Sequence, residues 1–276
     1  MLPDSRDDVE RTSTDGSTTL PHYEVSGPDG SACVVLLHGW GSSAELMRPI
    51  ARMLDDRFRV LNVDLPGHGR TPPPPAPIGV EECAQLVSDV IQNESPNGVT
   101  IVGHSNGGRI ALFMASDARF TRLINRLVLI SPSGIRPQRG LKVRFKSFVA
   151  TFLKAPFMVL PTNVRMKGLD WLRDSIVWRM LGSSDYRALS GVMRETFVRT
   201  VNFFVDDRLS RVNVPTLIFW GERDTAVGSR QIEKLAAAIP DSGVVPLKDA
   251  GHYGYLDDPA TVRAGTRHFI EQGSAS

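Results

Sequence analysis

Residues 99–110, Val-Thr-Ile-Val-Gly-His-Ser-Asn-Gly-Gly-Arg-Ile, constrain the fold of this 276-residue chain more than any other stretch. A short apolar run with β-branched residues reads as a buried strand. It runs into Gly103-His104-Ser105-Asn106-Gly107, and helical spacing follows from Gly108 to about Asp117. Strand, glycine-flanked serine and helix in that order place the serine in a turn too sharp for bulky residues two positions to either side. The helix that starts there aims its N–H groups and the positive end of its dipole at whatever the serine meets. Ser105 is therefore the candidate nucleophile. The competing reading, a tight turn with a solvent-facing serine, loses ground to the flanking elements.

Around this stretch, strands and helices alternate. Residues 22–26 and 32–37 read as strands on either side of the turn Gly27-Pro28-Asp29-Gly30, 44–54 as a helix, and 58–63 as a strand. The run Pro72-Pro73-Pro74-Pro75-Ala76-Pro77 is a stiff extended connection that can be neither helix nor central strand. Residues 80–92 are helical, with Val80, Ala84, Val87 and Ile91 on one face, and 124–130 form another strand. Residues 136–205 then show helical spacing only, broken at Pro156, Pro161, Gly168 and Gly182. Alternation resumes with strand 215–220, helix 230–239, strand 243–247 and helix 259–271. The pattern predicts an α/β fold, a mostly parallel sheet covered by helices on both faces. Its core spans 21–135 and 206–276, and 136–205 is a helical cap inserted into it. Residues 1–20 are rich in Asp, Ser, Thr and Arg and are expected to be a disordered tail.

Composition excludes several classes. A formal net charge of +2 with no basic tail gives no case for a nucleic-acid partner. The N-terminus lacks the apolar core of a secretory signal, and no run of about eighteen apolar residues reads as a membrane span. Cys33 and Cys83 read as small buried residues of a reducing, cytoplasmic compartment.

A serine hydroxyl needs a positioned base, itself oriented by a carboxylate. Downstream, Asp224 follows one buried strand and His252 follows the next. In a parallel sheet the carboxyl ends of all strands open onto one crevice, so Ser105, Asp224 and His252 can converge there. The segments His38-Gly39-Trp40-Gly41, Asp64-Leu65-Pro66-Gly67-His68-Gly69, Gly103-His104-Ser105-Asn106-Gly107, Gly221-Glu222-Arg223-Asp224 and Gly251-His252 together resemble the successive signatures of the α/β-hydrolase superfamily. The resemblance runs from about residue 30 to 270, with the insertion in the usual cap position, in the capped branch with a serine nucleophile. It implies Ser105 as nucleophile, His252 as general base and then acid, and Asp224 as the residue orienting His252. It also implies an oxyanion hole from the backbone N–H groups of Trp40 and Asn106. Glu222 lies where the family pattern does not place the acid. His38, His68 and His104 look like loop-packing residues, and His22 and His268 like surface groups.

The resemblance implies acyl transfer with no metal or organic cofactor on a small-molecule acyl substrate; serine in place of aspartate disfavours epoxide or halide chemistry. A carboxylic-ester hydrolase is the first reading. Hydrolysis of a carbon–carbon bond in a vinylogous diketo acid is the second, which Gly107-Gly108-Arg109 and Ser131-Pro132-Ser133-Gly134 suggest; many such enzymes, however, carry Asn and Trp where this chain has His104 and Tyr253. A non-catalytic binding protein on the same fold is the third. Between Ile135 and Leu169 there are eight basic residues and no acidic one, with Leu141, Phe145, Phe148, Val149, Phe152 and Leu153 on one helical face. An ordinary cap helix explains this most simply. A lid that roofs an apolar acyl pocket, or makes weak contact with a membrane surface, is the functional expectation.

Overall fold

In the computed structural model, residues 9–11, 20–95, 97–137, 189 and 191–272 are described. Their strands form one eight-stranded sheet in the order β1-β2-β4-β3-β5-β6-β7-β8. In chain order these are β1 (Val9–Arg11), β2 (Tyr23–Ser26), β3 (Cys33–Leu37), β4 (Arg59–Val63), β5 (Val99–His104), β6 (Ile124–Ile130), β7 (Thr216–Gly221) and β8 (Ser242–Leu247). β1 pairs antiparallel to β2, and β2 antiparallel to β4; from β4 to β8 every pairing is parallel. Three residues of the stretch expected to be a disordered tail thus extend the sheet. The pairing Val9↔Val25, Glu10↔Glu24, Arg11↔Tyr23 uses the edge of β2 that faces away from β4, a source of order that composition does not reveal.

The central strands are apolar almost without break because both their faces are covered. Every residue of β3 and of β5 is buried. Alternate residues serve opposite sides. Val35, Leu37, Ile101, Leu127 and Leu129 belong to one core. Val34, Leu36, Val102, Val128 and Ile130 belong to the other. The first core takes helices α2 (Val80–Glu94), α3 (Asn106–Ser116) and α5 (Ser229–Ala238). The second takes α1 (Ala44–Leu54) and α7 (Pro259–Glu271). α7 begins in the manner its sequence announces: Asp258 accepts the Thr261 N–H and proline occupies the first turn. The other described α-helices are α4 (Gly191–Val201) and the single turn α6 (Gly254–Asp257). The apolar face from Leu141 to Leu153, the basic cluster beyond Arg136 and the breaks at Pro156, Pro161, Gly168 and Gly182 lie outside the described residues. So does most of the segment expected to form a cap, apart from α4 and its flanks.

β5 sits in the middle of the sheet, between β3 and β6, and α3 follows it after one residue. The connection is possible because α3 starts almost in contact with β3. A Cβ at Gly107 would stand 2.0 Å from the Leu37 carbonyl oxygen, and one at Gly103 would stand 2.7 Å from the Gly107 carbonyl. Backbone fills these spaces, so only a residue without a side chain fits. Gly107→Ala should destabilise the protein by about 3 kcal/mol, or prevent folding, through overpacking; urea unfolding checks this, and a loss below about 1 kcal/mol would mean that the turn has room to relax.

Candidate active site

The parallel arrangement brings five loops to one edge. Ser105 follows β5, the segment His38-Gly39-Trp40-Gly41 follows β3, Ser131 follows β6, Asp224 lies beyond β7, and His252 beyond β8. Ser105 has φ 50° and ψ −109°, a conformation that non-glycine residues rarely hold. Three hydrogen bonds fix it: its N–H donates to Ile130 O at 3.1 Å, and its carbonyl accepts from Ser133 N at 2.9 Å and Arg109 N at 3.2 Å.

His252 Nδ1 lies 2.9 Å from Asp224 Oδ2. The Asp224 side chain has no exposure, whereas the His252 side chain keeps 21%. The other carboxylate oxygen of Asp224 accepts the Ala226 and Val227 N–H groups at 2.7 and 3.0 Å. Burial by itself would push Asp224 upward; the hydrogen bonds from His252 and from the Val227 N–H, with the nearby His252 ring, more than offset it and hold the carboxyl below its ordinary value. An ionised Asp224 accepts a hydrogen from His252 Nδ1, so in the tautomer that carries one hydrogen Nε2 is the acceptor nitrogen. Glu222, the alternative acid, is exposed and takes no part in this pairing.

The loop after β3 lies against Ser105: a Cβ at Gly39 would be 3.3 Å from Ser105 Cβ. Among the described residues, no acceptor takes the backbone N–H of Trp40 or of Asn106. Asn106 N–H stands next in chain to the strained serine at the N-terminus of α3, where the helix dipole favours negative charge, and Trp40 is the residue after Gly39. Among the described residues, no group of three or more His, Cys, Asp or Glu side chains is arranged to hold a metal ion.

Beneath that loop is a buried polar network. His38 Nδ1 donates to Gly39 O at 2.7 Å and its Nε2 accepts the Leu65 N–H at 3.0 Å. Asp64 accepts the Ala44 N–H at 2.7 Å and the Arg70 N–H at 3.0 Å, and pairs with His22 Nδ1 at 3.1 Å. His22 was expected at the surface; it is instead 6% exposed and tied to Asp64. Its partner lies 42 residues away, a distance that local pattern does not bridge. His38, His68 and His104 do pack loops. Burial pushes His38 down to about 4, with further contributions from its neighbours, and does the same to His104. His268 is exposed.

α4 lies over the same loops. Phe197 packs on Trp40 with ring centroids 5.1 Å apart, and Met193 fills the space beside Gly67. Thr196 Oγ1 accepts the Ile78 N–H at 3.2 Å, and Arg109 Nη1 donates to Thr200 O at 2.5 Å. Sequence reasoning missed the structural parts played by Asp64 and Arg109. The local signals were an acid at a strand end and a cation in an otherwise apolar helix.

The model of the alpha/beta hydrolase family matches residues 34–264. An uncharacterized protein of Mycobacterium tuberculosis is 29% identical over 262 residues, covering 85% of this chain and 73% of that protein. A pimeloyl-[acyl-carrier protein] methyl ester esterase of Chromobacterium violaceum is 28% identical over 264 residues, covering 89% of this chain and 96% of the esterase. Among solved structures, a bacterial membrane phospholipase A superposes with a TM-score of 0.72 at 20% identity, covering 98% of this chain and 87% of that one. This last likeness concerns the fold.

Folded His38 and His104 bind a proton only near pH 4, whereas in the unfolded chain each does so near 6.5. Between these values the unfolded state holds more protons, so stability rises with pH across that window and is lost on acidification through it. The effect is on the order of 3 kcal/mol for each ring. Urea midpoints at pH 7, 5.5 and 4 should fall progressively, and the replacement His104→Gln should flatten the dependence; a midpoint independent of pH over this range would contradict both assignments.

Proposed function

Because the chain belongs to the alpha/beta hydrolase family, we propose that it is a serine hydrolase that cleaves a carboxylic ester of a small to medium, apolar acyl substrate. The observation that carries this reading is the buried Asp224–His252 pair at the same sheet edge as Ser105 in its strained turn. Ser105 Oγ attacks the ester carbonyl as His252 Nε2 takes its proton. The tetrahedral oxyanion is held by the N–H groups of Trp40 and Asn106, each donor worth about 3 kcal/mol of barrier. His252 then returns the proton to the departing alcohol. A water that gives its proton to His252 attacks the acyl-enzyme, and the acid leaves as Ser105 regains its hydrogen. Asp224 stays ionised throughout, fixing the ring and stabilising its charged form.

In this reading residues 21–135 and 206–276 are the catalytic core and 136–205 a cap that roofs the substrate, with α4 as its returning helix. The methyl ester esterase relative supports ester chemistry, since it shares nearly its whole length with this chain. The chemistry uses no metal or organic cofactor. The free, buried thiols of Cys33 and Cys83 suit a reducing, cytoplasmic setting.

Hydrolysis of a nitrophenyl ester series, from acetyl to dodecanoyl, tests the proposal. Ser105→Ala should lower kcat by roughly 10⁴-fold or more, and Asp224→Asn by roughly 10³- to 10⁴-fold, with both proteins folded. Turnover that survives in Ser105→Ala would overturn the serine mechanism. Folded wild-type protein inactive on every ester would overturn the ester assignment and redirect attention to carbon–carbon bond hydrolysis.

A further inference from the structure

His104 precedes Ser105 and ends β5, the central strand of the sheet. It is 1% exposed, yet its Nε2 lies 3.0 Å from the backbone carbonyl oxygen of His252, 148 residues away. A carbonyl only accepts, so Nε2 carries the hydrogen and Nδ1 does not. Nδ1 has no partner among the described residues and faces the Gly39 backbone, where an added Cβ would approach it to 3.1 Å. The ring is enclosed by those of His252, Tyr253 and Tyr255, at centroid distances of 4.9, 5.0 and 5.3 Å. The charged or titratable groups around it are His252, Asp224, His38 and the two tyrosines. Burial, together with the neighbouring His252, pushes His104 down to about 4, so near neutral pH the ring adds no charge beside the base.

We infer that His104 is a positioning residue for His252: its Nε2–H holds the His252 main chain while Asp224 holds the His252 ring. Two adjacent residues at the end of one strand then fix both reacting groups, Ser105 directly and His252 through His104. Asp224 alone sets the direction of the imidazole; the carbonyl bond sets where its Cα stands relative to Ser105. The inference rests on the serine-hydrolase reading for its kinetic consequence, but not for the geometry.

Three replacements separate donor from bulk. His104→Gln carries an amide N–H to about the position of Nε2, His104→Asn is too short to reach, and His104→Phe keeps the ring without the donor. Two readouts apply: kcat and KM on the best nitrophenyl ester, and the low-field proton resonance of the His252–Asp224 hydrogen bond, identified by its absence in Asp224→Asn. His104→Asn and His104→Phe should lower kcat roughly 10- to 100-fold with KM within about threefold of wild type, while His104→Gln recovers most of the rate. The low-field resonance should broaden or vanish in the Asn and Phe variants and persist in the Gln variant. A resonance alike in the Gln and Asn variants overturns the inference, whatever the turnover, and this pair decides the matter even if His104→Phe does not fold. If no variant and no wild type hydrolyses esters but the resonance follows the amide's reach, the positioning role stands and the ester reading fails.

Discussion

The turn at Ser105 exists because three backbone segments meet where no side chain fits. Gly103 leaves room for the first turn of α3, and Gly107 lets that turn rest on the Leu37 carbonyl at the end of β3. A backbone conformation such as that of Ser105 costs on the order of 1–3 kcal/mol and persists only when its surroundings over-determine it. Here they do: Ser105 is bonded to Ile130, Ser133 and Arg109, which belong to β6, the loop beyond it, and α3. The serine is the fixed point, and the other loops of the edge are placed relative to it.

The loop that carries Trp40 shows how this placement is achieved. A buried carboxylate is costly unless hydrogen bonds replace its water. Asp64 finds them in three separate segments, the start of α1, the turn near Arg70 and the chain before β2, so these are joined at one atom group. The loop between β3 and α1 is held at both ends, by the His38 bond to Leu65 and by the Ala44 bond to Asp64. Between these anchors its backbone has little freedom, which keeps Gly39 against Ser105. The loop packed against Ser105 is thus stiffened by the buried side chains of His38 and Asp64.

Much of this was legible in the sequence, for a physical reason. Parallel strands buried on both faces are written as uninterrupted apolar runs, and steric exclusion at Gly103 and Gly107 leaves no alternative residue, so both signals are local. The Asp224–His252 pair was legible because each residue sits just beyond a buried strand and parallel topology brings strand ends together. What local pattern could not show were partners distant in sequence. His22 reads as a lone surface histidine until Asp64 is beside it, and His104 as loop packing until its ring is seen under His252. Strand β1 was hidden for a related reason. The sequence Val9-Glu10-Arg11 contains no apolar run, and its order comes from pairing with the edge of β2.

Arg109 extends the same logic to α4. Its guanidinium is buried, burial pushes it down to about 10, and its partners are uncharged: the Thr200 carbonyl and, at 3.4 Å, the Asn106 side-chain oxygen. Thr200 lies in the last turn of α4, where the helix presents the negative end of its dipole. A cation at that point is favourable without an acid, and a planar guanidinium can serve the carbonyl and the amide together. Because Arg109 is one turn beyond Ser105, α4 is registered to the serine itself and not merely to the rim of the core. Met193 and Phe197 follow from that registration, meeting the loops at Gly67 and Trp40. Helix α4 is therefore part of the frame of the candidate site, tied through Arg109 to the turn at Ser105 and through Met193 and Phe197 to the loops at Gly67 and Trp40.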